Sequence, residues 1–171
     1  MDFIKKAIRD VPDFPKKGIL FRDITTAIKD PVVMKKMIDC IVEEFKDDKI
    51  DYVAGIESRG FIFGMPVAYA LNCGFVPIRK PNKLPCETYS VEYELEYGKD
   101  RIEMHKDAIE KGKRVLVIDD LLATGGTAAA ACELVQKAGV LAGVAFVIEL
   151  SDLKGRDKLP KDVKVLTLAK Y

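Results

Sequence analysis

The chain has 171 residues, 49% of them apolar, a length and composition suited to one domain with a core of its own. Its 28 Lys and Arg balance 27 Asp and Glu, and a net charge of +1 argues against coating nucleic acid through bulk electrostatics. Four scattered cysteines (Cys40, Cys73, Cys86, Cys132) form no C-x-x-C pair, and a lone His105 excludes a His-rich metal cage.

The opening MDFIKKAIRD is charged and lacks the apolar core and small-residue cleavage site of a signal peptide. With scattered thiols, this predicts a cytoplasmic protein. Residues 1–25, interrupted at Pro12 and Pro15, predict a cap over whatever follows. Asp30-Pro31 then starts a helix, an N-cap side chain followed by Pro at the first helical position. Met34, Met37, Ile38, Ile41, Val42 and Phe45 recur at three and four along it, one apolar face. Residues 50–56 read as a strand, followed by the turn Glu57-Ser58-Arg59-Gly60.

The run 60–78 holds nineteen residues without a charge, long enough by count to span a bilayer. Three glycines, two prolines and Asn72 interrupt it, so it reads instead as a buried helix over 61–71 and a buried strand over 75–79. No membrane span is expected. After a basic, Pro-containing connection, Val91, Tyr93, Leu95 and Tyr97 alternate with Glu92, Glu94 and Glu96. This predicts a β-hairpin with its turn at Gly98-Lys99-Asp100 and its return over 101–105. An apolar strand over 114–118, an Ala-rich helix over 127–138 ended by Gly139, and strands over 140–150 and 164–168 complete the pattern. Continuous apolar strands alternating with helices imply an α/β fold, a mostly parallel twisted sheet flanked by helices.

The strongest chemical signal is VLVIDDLLATGGT, 115–127. Asp119 and Asp120 sit at the carboxyl end of a buried strand, where ligands bind in open α/β sheets. Adjacent carboxylates are costly to bury unless sugar hydroxyls or a metal satisfy them. Ala123, Thr124, Gly125, Gly126 and Thr127 follow at once and lead into a helix. Small residues let backbone N–H groups close round a phosphate, while the helix N-terminus adds positive charge and the threonines add hydroxyls. A tight turn with solvated acids would use similar residues. The succession of strand, acids, nest and helix favours a phosphorylated ribose, and neither a Walker loop nor G-x-G-x-x-G is present.

This segment resembles the signature with which type I phosphoribosyltransferases bind 5-phosphoribosyl 1-pyrophosphate. Three further stretches are similar to the adenine-specific members, in family order and over nearly the whole chain. PDFPKKGILFRDITT (12–26) resembles their N-terminal hood, and GIESRGFIFG (55–64) their pyrophosphate loop. RKPNKLP and LEYGKDRIEMHKDAI resemble their basic strand end and mobile catalytic hairpin. The resemblance implies a type I phosphoribosyltransferase fold in a single domain over 1–171, with a hood over about 1–28, a core over about 29–171 and a β-hairpin lid over about 82–105. It implies purine salvage: adenine and 5-phosphoribosyl 1-pyrophosphate give AMP and pyrophosphate. Mg²⁺ would arrive on the donor's pyrophosphate, not on a protein cage. A homodimer is implied, in which the basic strand end approaches the neighbouring subunit's site.

The family's motif assigns Asp119, Asp120, Ala123, Thr124, Gly125, Gly126 and Thr127 to the phosphoribosyl group. It assigns Glu57, Ser58, Arg59, Gly60, Arg79, Lys80 and Lys83 to pyrophosphate; by residue type alone these are an ordinary turn and a solvated basic loop. Phe21 would stack on adenine with Leu121 on the other side, and the neighbouring main chain at Leu20 with Arg22 would read the base edge. Glu96 and Tyr97 match the catalytic lid, Glu96 being the candidate for the purine proton, and Asp119 and Asp120 lie where they could stabilise a sugar cation. His105 reads as structural. Members using 6-oxopurines commonly carry a Lys in the strand after the phosphate loop; 144–149 has none, which favours a 6-aminopurine. The rivals are a xanthine or hypoxanthine transferase, and a non-catalytic donor-binding purine regulator whose usual DNA-binding domain would find no room in 171 residues.

Overall fold

The computed structural model describes residues 2–95 and 98–171, so Glu96 and Tyr97 lie outside the described residues. The N-terminal segment folds as α1 (Asp2–Ala7), an antiparallel pair of β1 (Arg9–Pro12) and β2 (Leu20–Asp23), and the short α2 (Thr25–Ile28). The β1–β2 reversal is held by the Asp13 carboxylate, which accepts from the Gly18 N–H at 2.6 Å. Ile4, Ile8, Ile24 and Ala27 anchor this unit in the core.

At α3 (Pro31–Phe45) the Asp30 carboxylate accepts from the N–H groups of Val32 and Val33, at 2.8 and 3.1 Å. Met37, Ile41 and Phe45 are fully buried along its apolar face, and Met34, Ile38 and Val42 half-buried. The uncharged run becomes α4 (Arg59–Ala70) and β4 (Gly74–Ile78), following β3 (Tyr52–Ile56). No helix among the described residues is long and apolar enough to cross a membrane.

β5 (Thr88–Leu95) and β6 (Gly98–His105) form the expected hairpin, but its register corrects the expected turn. Leu95 pairs with Gly98, so Gly98, Lys99 and Asp100 belong to the return strand. The ladder is extended by Asp100, which faces Tyr93 and accepts from its hydroxyl at 3.0 Å and from the Lys80 ammonium. β7 (Arg114–Leu122) is also longer than its apolar run. It carries on through the two acids because Asp119 and Leu121 still pair with Phe146 and Ile148 of the next strand. α5 (Gly126–Ala138), β8 (Val140–Glu149), the 3-10 turns Ser151–Leu153 and Gly155–Lys158, and β9 (Lys164–Lys170) follow.

The central sheet has the order β4-β3-β7-β8-β9, every pair parallel. Val115 and Val117 pack with α5 and the hairpin on one face, while Leu116 and Ile118 pack with α1, α3 and α4 on the other. Both faces are covered, which is why the strand is continuously apolar. The chain steps outward from β3 to β4 and then returns to the other side of β3 as β7. A crevice opens at such a reversal, beyond the carboxyl ends of the two strands.

Candidate active site

Two loops leave the sheet at this switch point. β3 runs through Glu57-Ser58 into α4, and β7 runs through 119–125 into α5. The start of α4 presses on β7: a Cβ on Gly60 would lie 2.6 Å from the carbonyl oxygen of Ile118. Only glycine permits that approach, and it brings Arg59 over the acid pair. The Arg59 Nε donates to the buried Asp120 carboxylate. Asp119 accepts from the Asp120 N–H at 2.9 Å. Burial, and then the adjoining Asp120 charge, push the Asp119 carboxyl well above its usual range.

Two cavities meet here. One, of about 200 Å³, is walled by Arg59 and the run 119–128. Gly125 caps α5 at φ +79 with no side-chain cap, leaving backbone N–H groups of the first turn for a ligand. The second, of about 400 Å³, is mainly apolar and shares Arg59, Asp120 and Leu121 with the first. The hood contributes Phe14 and Phe21 to it, edge to face with centroids 5.2 Å apart, and the sheet contributes Leu121 and its register partner Ile148. Arg22 also lines it, held from behind by Asp10 and lying 3.9 Å over the Tyr171 ring. Leu20 is exposed and outside this wall.

On the flank, Ile56–Ile78 pairing sets Glu57 against the basic strand end. The Glu57 carboxylate accepts from Arg79 Nε and Nη2, at 3.2 and 3.3 Å, and from the Lys80 N–H at 2.9 Å. Arg79 chiefly, with the Lys80 N–H and the charge of Lys83, holds it below its usual range. The Lys80 ammonium bonds Tyr93 at 3.0 Å and Asp100, while Lys83 is exposed. The Glu57–Ser58 peptide is cis. The hairpin stands beside the phosphate-loop helix: a Cβ on Gly126 would lie 3.2 Å from the Glu94 carbonyl oxygen. His105 sits at the hairpin's foot opposite Thr88, its Nε2 buried without a hydrogen-bond partner among the described residues.

The folding thus brings Arg59, Asp119–Thr127, Phe21 and Arg22 round one cleft, with Glu57, Arg79 and Lys80 at its side. Sequence reasoning missed Phe14, although it lies in the same hood motif as Phe21. It also missed Gly155, whose backbone lies against Ala123 and Gly125, and nothing in the local pattern of 151–160 marks that residue. Among the described residues, no cluster of three or more His, Cys, Asp or Glu side chains could hold a metal ion.

The phosphoribosyl transferase domain family matches residues 25–170. The adenine phosphoribosyltransferase of Thermosynechococcus vestitus is 62% identical over 169 residues, 98% of this chain and 99% of its own. The chain belongs to the adenine phosphoribosyltransferase family. The crystal structure of the family member from Thermoanaerobacter pseudethanolicus matches with a TM-score of 0.94 at 49% identity, over 99% of each chain. The Saccharomyces cerevisiae member, complexed with D-2,5-dideoxy-2,5-imino-altritol 1,6-bisphosphate and adenine, matches with a TM-score of 0.91 at 46% identity, over 98% of this chain and 97% of its own. Membership gives this chain the family's type I fold and makes it a pentosyl-transferring enzyme.

Proposed function

We propose that the cleft transfers the 5-phosphoribosyl group from 5-phosphoribosyl 1-pyrophosphate to adenine, giving AMP and pyrophosphate in purine salvage. The observation that carries this reading is the junction of an anion-binding cavity with an apolar one across Asp120 and Leu121. A phosphorylated ribose fits the first and a flat purine the second, with the anomeric carbon at the junction.

The residues divide the work by position. Backbone N–H groups of 123–127 and the threonine hydroxyls take the 5-phosphate, while Asp119 and Asp120 accept from the ribose diol. The bond from the anomeric carbon to pyrophosphate breaks, leaving an oxocarbenium-like centre beside those carboxylates, and a ring nitrogen of adenine forms the new bond from the opposite face. Glu96, delivered by the hairpin, receives the nitrogen's proton, with Tyr97 beside it as the lid excludes water. Ser58, Gly60 and Arg59 with Arg79, Lys80 and Lys83 receive the leaving pyrophosphate, the phosphates competing with Glu57 and Asp120 for the guanidinium groups. Phe21 and Leu121 sandwich the base, and Arg22 reads its edge.

Mg²⁺ is part of the proposal as an ion that would arrive on the donor's pyrophosphate. Bound there, Mg²⁺ would neutralise charge developing on the leaving group. A homodimer is part of the proposal. α4 exposes Ile62, Met65 and Tyr69 on one face, Tyr69 at 88%, and this stripe begins one turn from Arg59. The free thiols of Cys40, Cys73, Cys86 and Cys132 suit a reducing cytosol.

The deciding assay is pyrophosphate release with donor and Mg²⁺, offering adenine, hypoxanthine, xanthine or guanine separately. Release with adenine alone is expected. Release with a 6-oxopurine would overturn the base assignment, and donor binding without release for any base would make this a donor-binding regulator.

A further inference from the structure

β8 ends at Glu149, whose carboxylate is buried yet takes a two-point bond from Arg156: Nε at 3.0 Å and Nη2 at 2.7 Å. Arg156 Nη2 also donates to the Thr167 hydroxyl at 3.3 Å on β9. The residues between them are pinned at the other end, where the Leu150 N–H donates to the Leu122 carbonyl at 2.9 Å and the Ser151 N–H to the Tyr171 carbonyl at 2.7 Å. Beyond them the buried Leu159 fastens the segment to the core. A stretch of two short 3-10 turns is therefore fixed at both ends, on the strand that precedes the phosphate loop and on its neighbours.

What this segment delivers is Gly155. A Cβ on Gly155 would lie 2.1 Å from the Ala123 carbonyl oxygen and 2.9 Å from the Gly125 nitrogen. In return, a Cβ on Gly125 would lie 2.2 Å from the Gly155 carbonyl oxygen. Two backbones touch with no side chain between them. Gly125 is also the left-handed residue that turns the loop into α5. Ala123 and Gly125 wall the anion-binding cavity, whereas Gly155 and Arg156 lie outside that wall. The Arg156 side chain is 37% exposed, while the Glu149 carboxylate it grips is buried. The forked geometry of Arg156 is better suited to fixing a direction than to adding energy.

We infer that Gly155, held by the Glu149–Arg156 pair, is a positioning residue for the ribose-phosphate loop: it sets donor affinity through Ala123 and Gly125 without touching the donor. This rests on reading 123–127 as the donor's phosphate site. An anion cradle made of backbone N–H groups cannot repack as side chains do. Its affinity depends on where the loop is pressed from behind.

The experiment measures donor dissociation constants by calorimetry, with KM for donor and for adenine, in the wild type and in Gly155→Ala, Arg156→Lys and Arg156→Gln. Melting temperatures are recorded alongside. Gly155→Ala should weaken donor binding by about tenfold or more, since misplacing a bound group by about 1 Å can cost up to ~100-fold. Arg156→Gln should weaken it less and Arg156→Lys least, while the KM for adenine stays within about twofold, because the loss lies in one subsite. If Gly155→Ala does not fold, the two Arg156 variants decide. Donor affinity unchanged in folded variants, whatever the melting temperature does, overturns the inference. A wild type that binds no donor overturns the site reading itself, and the inference with it.

Discussion

The Arg59 guanidinium bonds the Asp120 carboxylate across the wall that the two cavities share. Asp120 is buried and Arg59 half-exposed, so the contact holds a guanidinium over the junction of the two cavities. In the proposed reaction a ribose diol would take over Asp120 and free the guanidinium for the leaving phosphates.

Arg59→Ala should raise the donor KM by roughly 10- to 100-fold, the factor that loss of a charged hydrogen bond of about 1.5–3 kcal/mol implies. It should also lower the melting temperature, because Asp120 is left buried without its cation. Arg59→Lys should recover part of both. Steady-state kinetics and thermal melts on the three proteins check this, and an unaltered donor KM in the Ala variant would remove Arg59 from the site.

Asp119 makes a prediction about pH. Its carboxyl is pushed well above its usual value by burial and then by Asp120, so the folded protein keeps a proton that the unfolded chain releases near 3.8. Stability is therefore lost as pH rises above that value, until the folded carboxyl ionises too. Asp119→Asn lacks this loss. Its melting temperature should gain on the wild type as pH rises above about 4, while donor binding weakens. Parallel melting curves across that range would contradict the assignment.

Glu96→Ala should lower kcat by about 100-fold or more, the usual weight of a positioned acid or base, with donor affinity within about twofold. Single-turnover rates beside donor titrations separate the two quantities. A normal rate would move proton handling to another group.

Charging the α4 stripe should break the proposed dimer. Tyr69→Glu with Met65→Lys places charge on an apolar face that a second copy would cover, and sedimentation should shift from dimer to monomer. Circular dichroism should remain unchanged, since both side chains are exposed in the single chain. A monomeric wild type would refute the homodimer directly.

What was legible in the sequence was local. Asp30 with Pro31, the period of α3, and the apolar run into Asp119 and Asp120 are each decided by neighbouring residues, and each element formed. The hairpin turn was misplaced because Gly98 pairs with Leu95, and the bonds of Asp100 to Tyr93 and Lys80 that support that pairing reach across the chain. β7 ran past its apolar residues for a similar reason, its ends being set by pairing with β8. The hood's small sheet has too few residues for any period to register. Gly155 looks like one glycine in a polar turn until its contact with Gly125 is seen. The phosphate loop is written in one stretch, whereas the brace behind it exists only in three dimensions.

β7 is hydrogen-bonded to β3 and β8 and covered on both faces, whereas the hood hangs on the two strands β1 and β2. The hairpin meets the main sheet through the Arg79–Glu103 bridge. β7 thus has a hydrogen-bonded strand on each side, which no strand of the two-stranded hood or hairpin has. Amides of Val115 to Ile118 should exchange with solvent deuterium only when the whole domain opens, and those of Val11 or Glu92 through local fraying. On the proposed reading, adenine and donor would meet a floor far slower to open than the small sheets around it.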